Sequence, residues 1–167
     1  MEIEEQAIIV NDKDEVIGHK NRKDISEVDI VRVVVVWLEN NEGQVLIHKR
    51  SATKKHGANR WENAAGGGVV RGQSYEEAAY AELSEEIGVD DIKLEYVTTT
   101  LVHTDKGDRM CAWFTGICNR IIEEFVLETE NVTEVKWVEK EWLFSDRDQN
   151  PEKYMPSSIY WRELFSD

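Results

Sequence analysis

The first fifty residues read as strands and turns. Gln6 to Val10 and Val16 to His19 flank the turn-rich stretch Asn11-Asp12-Lys13-Asp14, which predicts a hairpin at the edge of the fold. The run Ile30 to Leu38 is β-branched and almost continuously apolar, the pattern of a central strand buried on both faces. Glu39 to Gly43 supplies a turn and Gln44 to Lys49 a returning strand, so this pair is expected to form a second hairpin. Ser51 to Arg60 is polar and contains Gly57, which predicts a loop, and a short strand is expected from Trp61 to Ala65.

The periodicity then changes. Ser74 to Ile87 predicts a helix, with Tyr75, Ala78, Ala79 and Leu83 as its apolar stripe. Ser74 can cap it, Glu77 sits at the capping-box position, and Gly88 can take the left-handed conformation that ends it. Lys93 to His103, Arg109 to Cys118 and Val132 to Val138 read as further strands, the first two joined by Thr104 to Asp108. Glu139 to Phe144 and Pro151 to Phe165 read as two helices around a Ser-Asp-Arg-Asp loop. Strands on both sides of one central helix, with helices at the end, predict an α/β fold whose mixed sheet is covered on both faces.

Composition narrows the function. A chain of 167 residues is expected to form one domain, and no run of about 18 apolar residues is present to span a membrane. The start MEIEEQAIIV lacks the basic and apolar regions of a signal peptide, so a cytoplasmic location is expected. A formal charge of −14 repels nucleic acid, yet a local cluster of cations or a bound metal can still reverse the field within one cleft. Cys111 and Cys118, seven apart in one expected strand, face opposite ways and read as reduced thiols.

Chemistry concentrates in one segment. Gly66-Gly67-Gly68-Val69-Val70-Arg71-Gly72-Gln73 runs directly into the helix that ends Ala81-Glu82-Leu83-Ser84-Glu85-Glu86-Ile87-Gly88. Glu82, Glu85 and Glu86 are spaced i, i+3, i+4, so three carboxylates share one helical face and repel one another. They also lie in the last turns, where the helix dipole disfavours negative charge. Such a face is either simply solvated or a platform for a hard cation; magnesium and manganese prefer carboxylate oxygens, and glycines let the facing backbone approach a ligand closely.

This segment resembles the Nudix box, G-x5-E-x7-R-E-U-x-E-E-x-G-U with U a bulky aliphatic residue. Gly67 takes the opening glycine, and Glu82, Leu83, Glu85, Glu86, Gly88 and Val89 fall in register. The resemblance implies a Nudix-type α/β/α sandwich and a hydrolase that needs Mg2+ or Mn2+ to cleave a diphosphate linkage in a small phosphorylated substrate. It also implies that Glu82 and Glu86 bind the principal metal, with Glu85 completing the site or positioning a water. A further glutamate from outside the box is expected, with Glu130 the candidate and Glu123 and Glu124 its competitors. Two positions depart from the pattern: the loop glutamate is Gln73, which cannot act as a base, and the arginine that orients the glutamates is Ala81. Either catalysis is weakened or an orienting cation comes from elsewhere, with Arg71 a candidate.

Residues 6 to 143 resemble the isopentenyl-diphosphate isomerase-like branch more closely, through Gly18-His19-Lys20, through Leu46-Ile47-His48-Lys49-Arg50-Ser51 with Lys54, and through Trp61. That resemblance implies that Lys20, Arg50 and Lys54 contact a diphosphate. Isomerase activity itself is disfavoured, because Trp61 to Gly66 offers no cysteine to move a proton at carbon. A Nudix-fold protein that binds a phosphorylated metabolite and turns it over poorly is the alternative that Gln73 and Ala81 suggest. The resemblance makes a homodimer a candidate assembly. The expected organisation is one domain over 1–167, with a hairpin extension at 1–29, the loop and helix at 66–89 and helices at 139–167. His48, His56 and His103 show no evident partner and read as structural or solvent-facing. Trp113 and Phe114 suit either a substrate stack or the core.

Overall fold

A computed structural model describes residues 4–167 and contains one nine-stranded sheet. The expected edge hairpin is present as β1 (Gln6–Val10) and β2 (Val16–Asn21). The apolar run forms β3 (Ile30–Glu39), which organises the sheet. Along one edge β3 pairs in succession with β1 at Ile30 and Val31, with β6 (Ala65–Gly68) from Val33 to Val36, and with β4 (Gln44–Arg50) at Glu39. Along its other edge it runs parallel to β8 (Gly107–Ile117), which pairs antiparallel with β7 (Glu95–Thr104). Every other pairing is antiparallel, so the sheet is mixed as expected.

Four expectations about elements are corrected. The second hairpin is a turn with a single ladder pair, Glu39 to Val45, because β6 already occupies that edge of β3. Strand β4 instead pairs along its length with β9 (Val132–Glu139) and at His48 and Lys49 with β5 (Trp61–Glu62). The strand expected from Trp61 to Ala65 is accordingly split into β5 and β6. At the crossing Asn63 is buried, and its side-chain amide donates to the carbonyls of Val36 (3.2 Å) and Ala65 (2.6 Å). The Ser-Asp-Arg-Asp loop is helical: α2 (Lys140–Gln149) runs through it, and Asp146 near its end accepts from Tyr154 and Asn150. Beyond it Pro151 and Pro156 break the second expected helix into two 3-10 turns and α3 (Trp161–Phe165), since proline lacks an N–H and pushes the preceding residue out of helical geometry.

Side-chain alternation along β3 divides the core in two. Val34, Val36 and Leu38 face α1 (Tyr75–Ile87) and pack with Ala78, Ala79, Leu83 and Ile87. Val35 and Trp37 face the other way and pack with Leu143, Phe144, Trp161 and Phe165 of α2 and α3. The result is an α/β/α sandwich. Cys111 and Cys118 fall in opposite clusters, both as free thiols, as their odd spacing predicts.

Candidate active site

Helix α1 is anchored at both ends. Ser74 accepts from the Glu77 N–H at 3.1 Å while the Glu77 carboxylate accepts from the Ser74 N–H, and Gly88 closes the helix at φ +71°. This fixes the rotation of the helix, which turns Glu82 and Glu86 toward β6 and leaves Glu85 exposed. The approach is close. A Cβ on Gly67 would stand 2.5 Å from the Glu82 carboxyl carbon, so glycine here is a requirement of contact. The Gly66 N–H donates to Glu86 Oε1 at 2.8 Å.

Behind this pair lies a buried ionic chain. His48 on β4, 1% exposed, places Nε2 2.8 Å from Glu62 Oε1 and 4.0 Å from Glu86 Oε2, and its Nδ1 lies 2.9 Å from the Ala64 carbonyl oxygen. Glu62 also accepts from Arg50 at 3.0 Å. Burial alone would raise the Glu62 carboxyl, but His48 and Arg50 outweigh it and hold the group down at about 2. Burial alone would lower His48, and the two carboxylates reverse this and raise it.

Glu82 and Glu86 respond the other way. Burial raises Glu82 to about 8, reinforced by the charges of Glu86 and Glu85. Glu86 is raised to about 7 by burial and by Glu62, against the opposing pull of His48, the Gly66 N–H and Lys54. Two neighbouring carboxyls that resist ionisation are short of a cation. A divalent ion bound by oxygen ligands would supply that charge, so the donor set fits the metal that the glutamate spacing suggests.

A cleft of about 560 Å³ opens next to the glycine strand that the pair contacts. Glu62, Gly66 and Gly67 line it and also touch the carboxylates or His48. Its rim carries Arg50, Lys55, Arg60, Lys106 and Arg109 against only two acids, Glu62 and Asp105, in a chain whose formal charge is −14. This is the local reversal of field that an anionic small molecule requires.

The NUDIX domain family matches residues 29–157. The chain belongs to the Nudix hydrolase family. Hydrolases of this family generally use divalent metals and act on small phosphorylated substrates. Among curated relatives, isopentenyl-diphosphate Delta-isomerase 2 of Photorhabdus laumondii is 29% identical over 142 residues, 81% of this chain and 78% of its own. A protein of Streptomyces coelicolor named as an uncharacterised Nudix hydrolase is 30% identical over 130 residues, 77% of this chain and 70% of its own. Among solved structures, a Deinococcus radiodurans crystal structure matches with a TM-score of 0.82 at 22% identity, covering 96% of this chain and 99% of that one, and so shares the fold.

Within this Nudix hydrolase the sequence-derived residues separate into groups. Gly67, Glu82, Glu86 and Arg50 are brought together, with Lys54 near enough to stabilise the charged form of Glu86. Glu85 is exposed but contributes to the field at Glu82. Lys20 lies elsewhere: its ammonium is held by Asp29 at 2.9 and 2.8 Å and does not line the cleft. Glu130 is exposed in the turn before β9, and Glu62 is the carboxylate outside the box that the fold sets beside Glu86. Glu123 and Glu124 are exposed as well. Arg71 donates to Gln6, whereas the cation acting on Glu82 is Arg22, in the turn after β2. Gln73 accepts from the Val70 N–H at 3.2 Å and closes the loop. Trp113 and Phe114 are core.

Sequence reasoning missed Glu62 and found no partner for His48. Their pairing depends on the cross-strand register of β4 and β5, where His48 stands opposite Glu62, and the two-residue length of β5 left no periodic signal to reveal it.

Proposed function

We propose that this Nudix hydrolase cleaves a diphosphate linkage in a small organic substrate and depends on magnesium or manganese to do so. The observation that carries this is the buried Glu82–Glu86 pair, kept from ionising by burial and mutual repulsion, held against Gly66 and Gly67, which line a cation-rich cleft. Glu82 and Glu86 would hold the metal, with Glu62 as a further carboxylate nearby. When bound, the ion polarises the phosphoryl group and lowers the cost of forming the nucleophile from water.

The chain's own residues divide the remaining work. Glu82 and Glu86 supply negative oxygens at fixed positions, Glu86 being held by the Gly66 N–H. His48 separates Glu86 from Glu62 and keeps two buried carboxylates from facing one another without a cation between them. Arg50 and Lys54 provide charge for the diphosphate oxygens. Lys20, paired with Asp29, supports the N-terminal hairpin and is not assigned to substrate.

The isomerase alternative is weakened by the thiol nearest the site. Cys111 lies at the cleft floor, and burial raises it to about 12, which leaves it a poor base. The deciding experiment measures phosphate and monophosphate release from nucleoside diphosphate derivatives, dinucleoside polyphosphates and isoprenoid diphosphates with magnesium or manganese. Turnover is expected to require the metal and to disappear in Glu86→Gln. Metal and diphosphate binding with no turnover across the whole panel would replace the hydrolase with a phosphometabolite-binding protein, for which Gln73 and Ala81 supply the motive.

A further inference from the structure

Resting on the hydrolase just proposed, we infer that Arg109, assisted by Lys106, forms a second anion-binding station in the cleft, so that the preferred substrate carries an anionic group apart from its scissile diphosphate. Arg109 stands on β8 with its backbone flanked on both sides, opposite Val31 of β3 and Val102 of β7. Its position is therefore fixed by two ladders. The adjoining turn is fixed too: Gly107, at φ +106°, lies so close to the 27–29 segment that an added Cβ would come within 2.8 Å of the Glu27 carbonyl oxygen.

The guanidinium is half-buried and makes one hydrogen bond, from Nη1 to the carbonyl oxygen of Asp108 at 2.9 Å. The Asp108 carboxylate meets His103 at 2.8 Å; it is not in ion-pair contact with Arg109, although its field favours the guanidinium charge. Among the described residues no carboxylate lies within ion-pair distance of Arg109 or of Lys106, although acids outnumber bases 34 to 20 in the chain. Burial works against the charge that Arg109 carries. A desolvated guanidinium that leaves most of its donors facing a cleft, in an acidic protein, is arranged for an anion that comes from outside.

Distance separates this station from the diphosphate end. Strands β6 and β8 lie on opposite edges of β3, so the backbones of Gly66 to Gly68 and of Arg109 are about 10 Å apart across the sheet at the usual strand spacing, and they are offset further along it because Arg109 stands level with Val31 and the glycines with Val33 to Val35. A diphosphate held at Glu82 and Glu86 does not reach that far. On the face of the sheet away from α1, Val33 and Val35 line the cleft between the Gly66 to Gly68 backbone and Arg109, with Met155 and Pro156 as its wall, which suits an uncharged connecting portion. The substrate class is thus an organic diphosphate bearing a second phosphoryl or carboxylate group at its other end.

The test has two arms. In the first, inorganic phosphate is titrated into the metal-free protein in EDTA, and binding is followed through the arginine Nε–H signals and by calorimetry. Phosphate is expected to shift the Arg109 signal, and Arg109→Gln to weaken binding about tenfold or more, as loss of a charge-assisted contact does. Lys106→Gln, at an exposed position, gives a partial loss and guards against misfolding of the Arg109 variant. Unchanged phosphate affinity in both variants overturns the proposal.

In the second arm, KM and kcat are compared for an alkyl diphosphate and for a nucleoside 5′-diphosphate that also bears a 3′-phosphate. Arg109→Gln should raise KM at least tenfold more for the second substrate than for the first, with the effect in KM and not in kcat. An equal rise for both overturns the second station, because Arg109 would then act on the diphosphate itself. If the wild type hydrolyses neither compound or any other diphosphate, the hydrolase assignment fails, and the phosphate titration still decides whether Arg109 binds an anion.

Discussion

At Gly67 the distance between β6 and α1 is set by one missing methyl group. A Cβ there would meet the movable end of Glu82, so Gly67→Ala should fold and leave Tm nearly unchanged while displacing the carboxylate. Turnover is expected to fall about 100-fold, the effect of an ångström-scale misplacement; full activity at unchanged Tm would refute the contact. His48 is the opposite case. Removing it leaves Glu62 and Glu86 buried without the cation between them, and His48→Ala should lose about 3–5 kcal/mol in a urea melt. The same groups set a pH dependence. Glu82 and Glu86 are raised to about 8 and about 7, and His48 is raised too, so the folded state holds more protons than the unfolded chain as pH goes from 5 to 8. Stability in EDTA is therefore present at the lower pH and lost as pH rises through these values. Glu62, ionised throughout that window, adds no slope. A divalent ion replaces the protons, so magnesium or manganese should flatten the fall. A Tm in EDTA that is level or rising over this range would contradict the assignment.

Among the elements, α1 was the most legible, because each of its signals is local: Ser74 and Glu77 three residues apart, an apolar stripe at helical spacing, and Gly88 past the end. Gly88 also touches the rest of the molecule. At φ +71°, with Val126 Cβ 2.8 Å from the place its own Cβ would take, Gly88→Ala combines left-handed strain with a clash. It should cost at least about 1 kcal/mol, read as a lower Tm by circular dichroism, and it should disturb the Glu128 N–H to Glu86 carbonyl bond. Elements whose form depends on distant partners were less legible. The β3–β4 hairpin follows from alternation and a turn, yet which strand occupies the edge of β3 is decided by β6, whose glycines carry no hydrophobic pattern. Asp146 and Arg147 look like loop residues in one dimension, and they are helical because Asp146 meets Tyr154 and Arg147 meets Ser158. The candidate site divides in the same way. Glu82, Glu86 and Gly67 stand in one local motif, whereas Glu62 and His48 come together, and Arg109 reaches the same cleft, through strand register that no spacing records.

For the molecule as a whole, both layers of the sandwich share one strand. Val34, Val36 and Leu38 of β3 belong to the α1 side, and Val35 and Trp37 to the side of α2 and α3, so neither layer can separate without exposing apolar surface of the strand that the other packs against. We propose on this ground that the chain unfolds as a single cooperative unit, with the C-terminal helices as part of it. Phe165 provides the test, since it lies far from the carboxylates in sequence and its ring stacks on Trp37 with centroids 4.3 Å apart, near Trp113 at 5.9 Å. Phe165→Ala empties that space and should lose about 3–5 kcal/mol. In a cooperative unit the loss is felt everywhere. Tryptophan fluorescence, to which the buried Trp37, Trp113 and Trp161 contribute, and far-ultraviolet circular dichroism, which reports the sheet and α1, should then shift to the same lower midpoint. If the fluorescence melts first while the dichroism keeps its wild-type midpoint, the C-terminal layer is a separate unit laid against the sheet. Met155 and Pro156 would then be a movable wall of the cleft, and the substrate end bound at Arg109 would lose its fixed boundary.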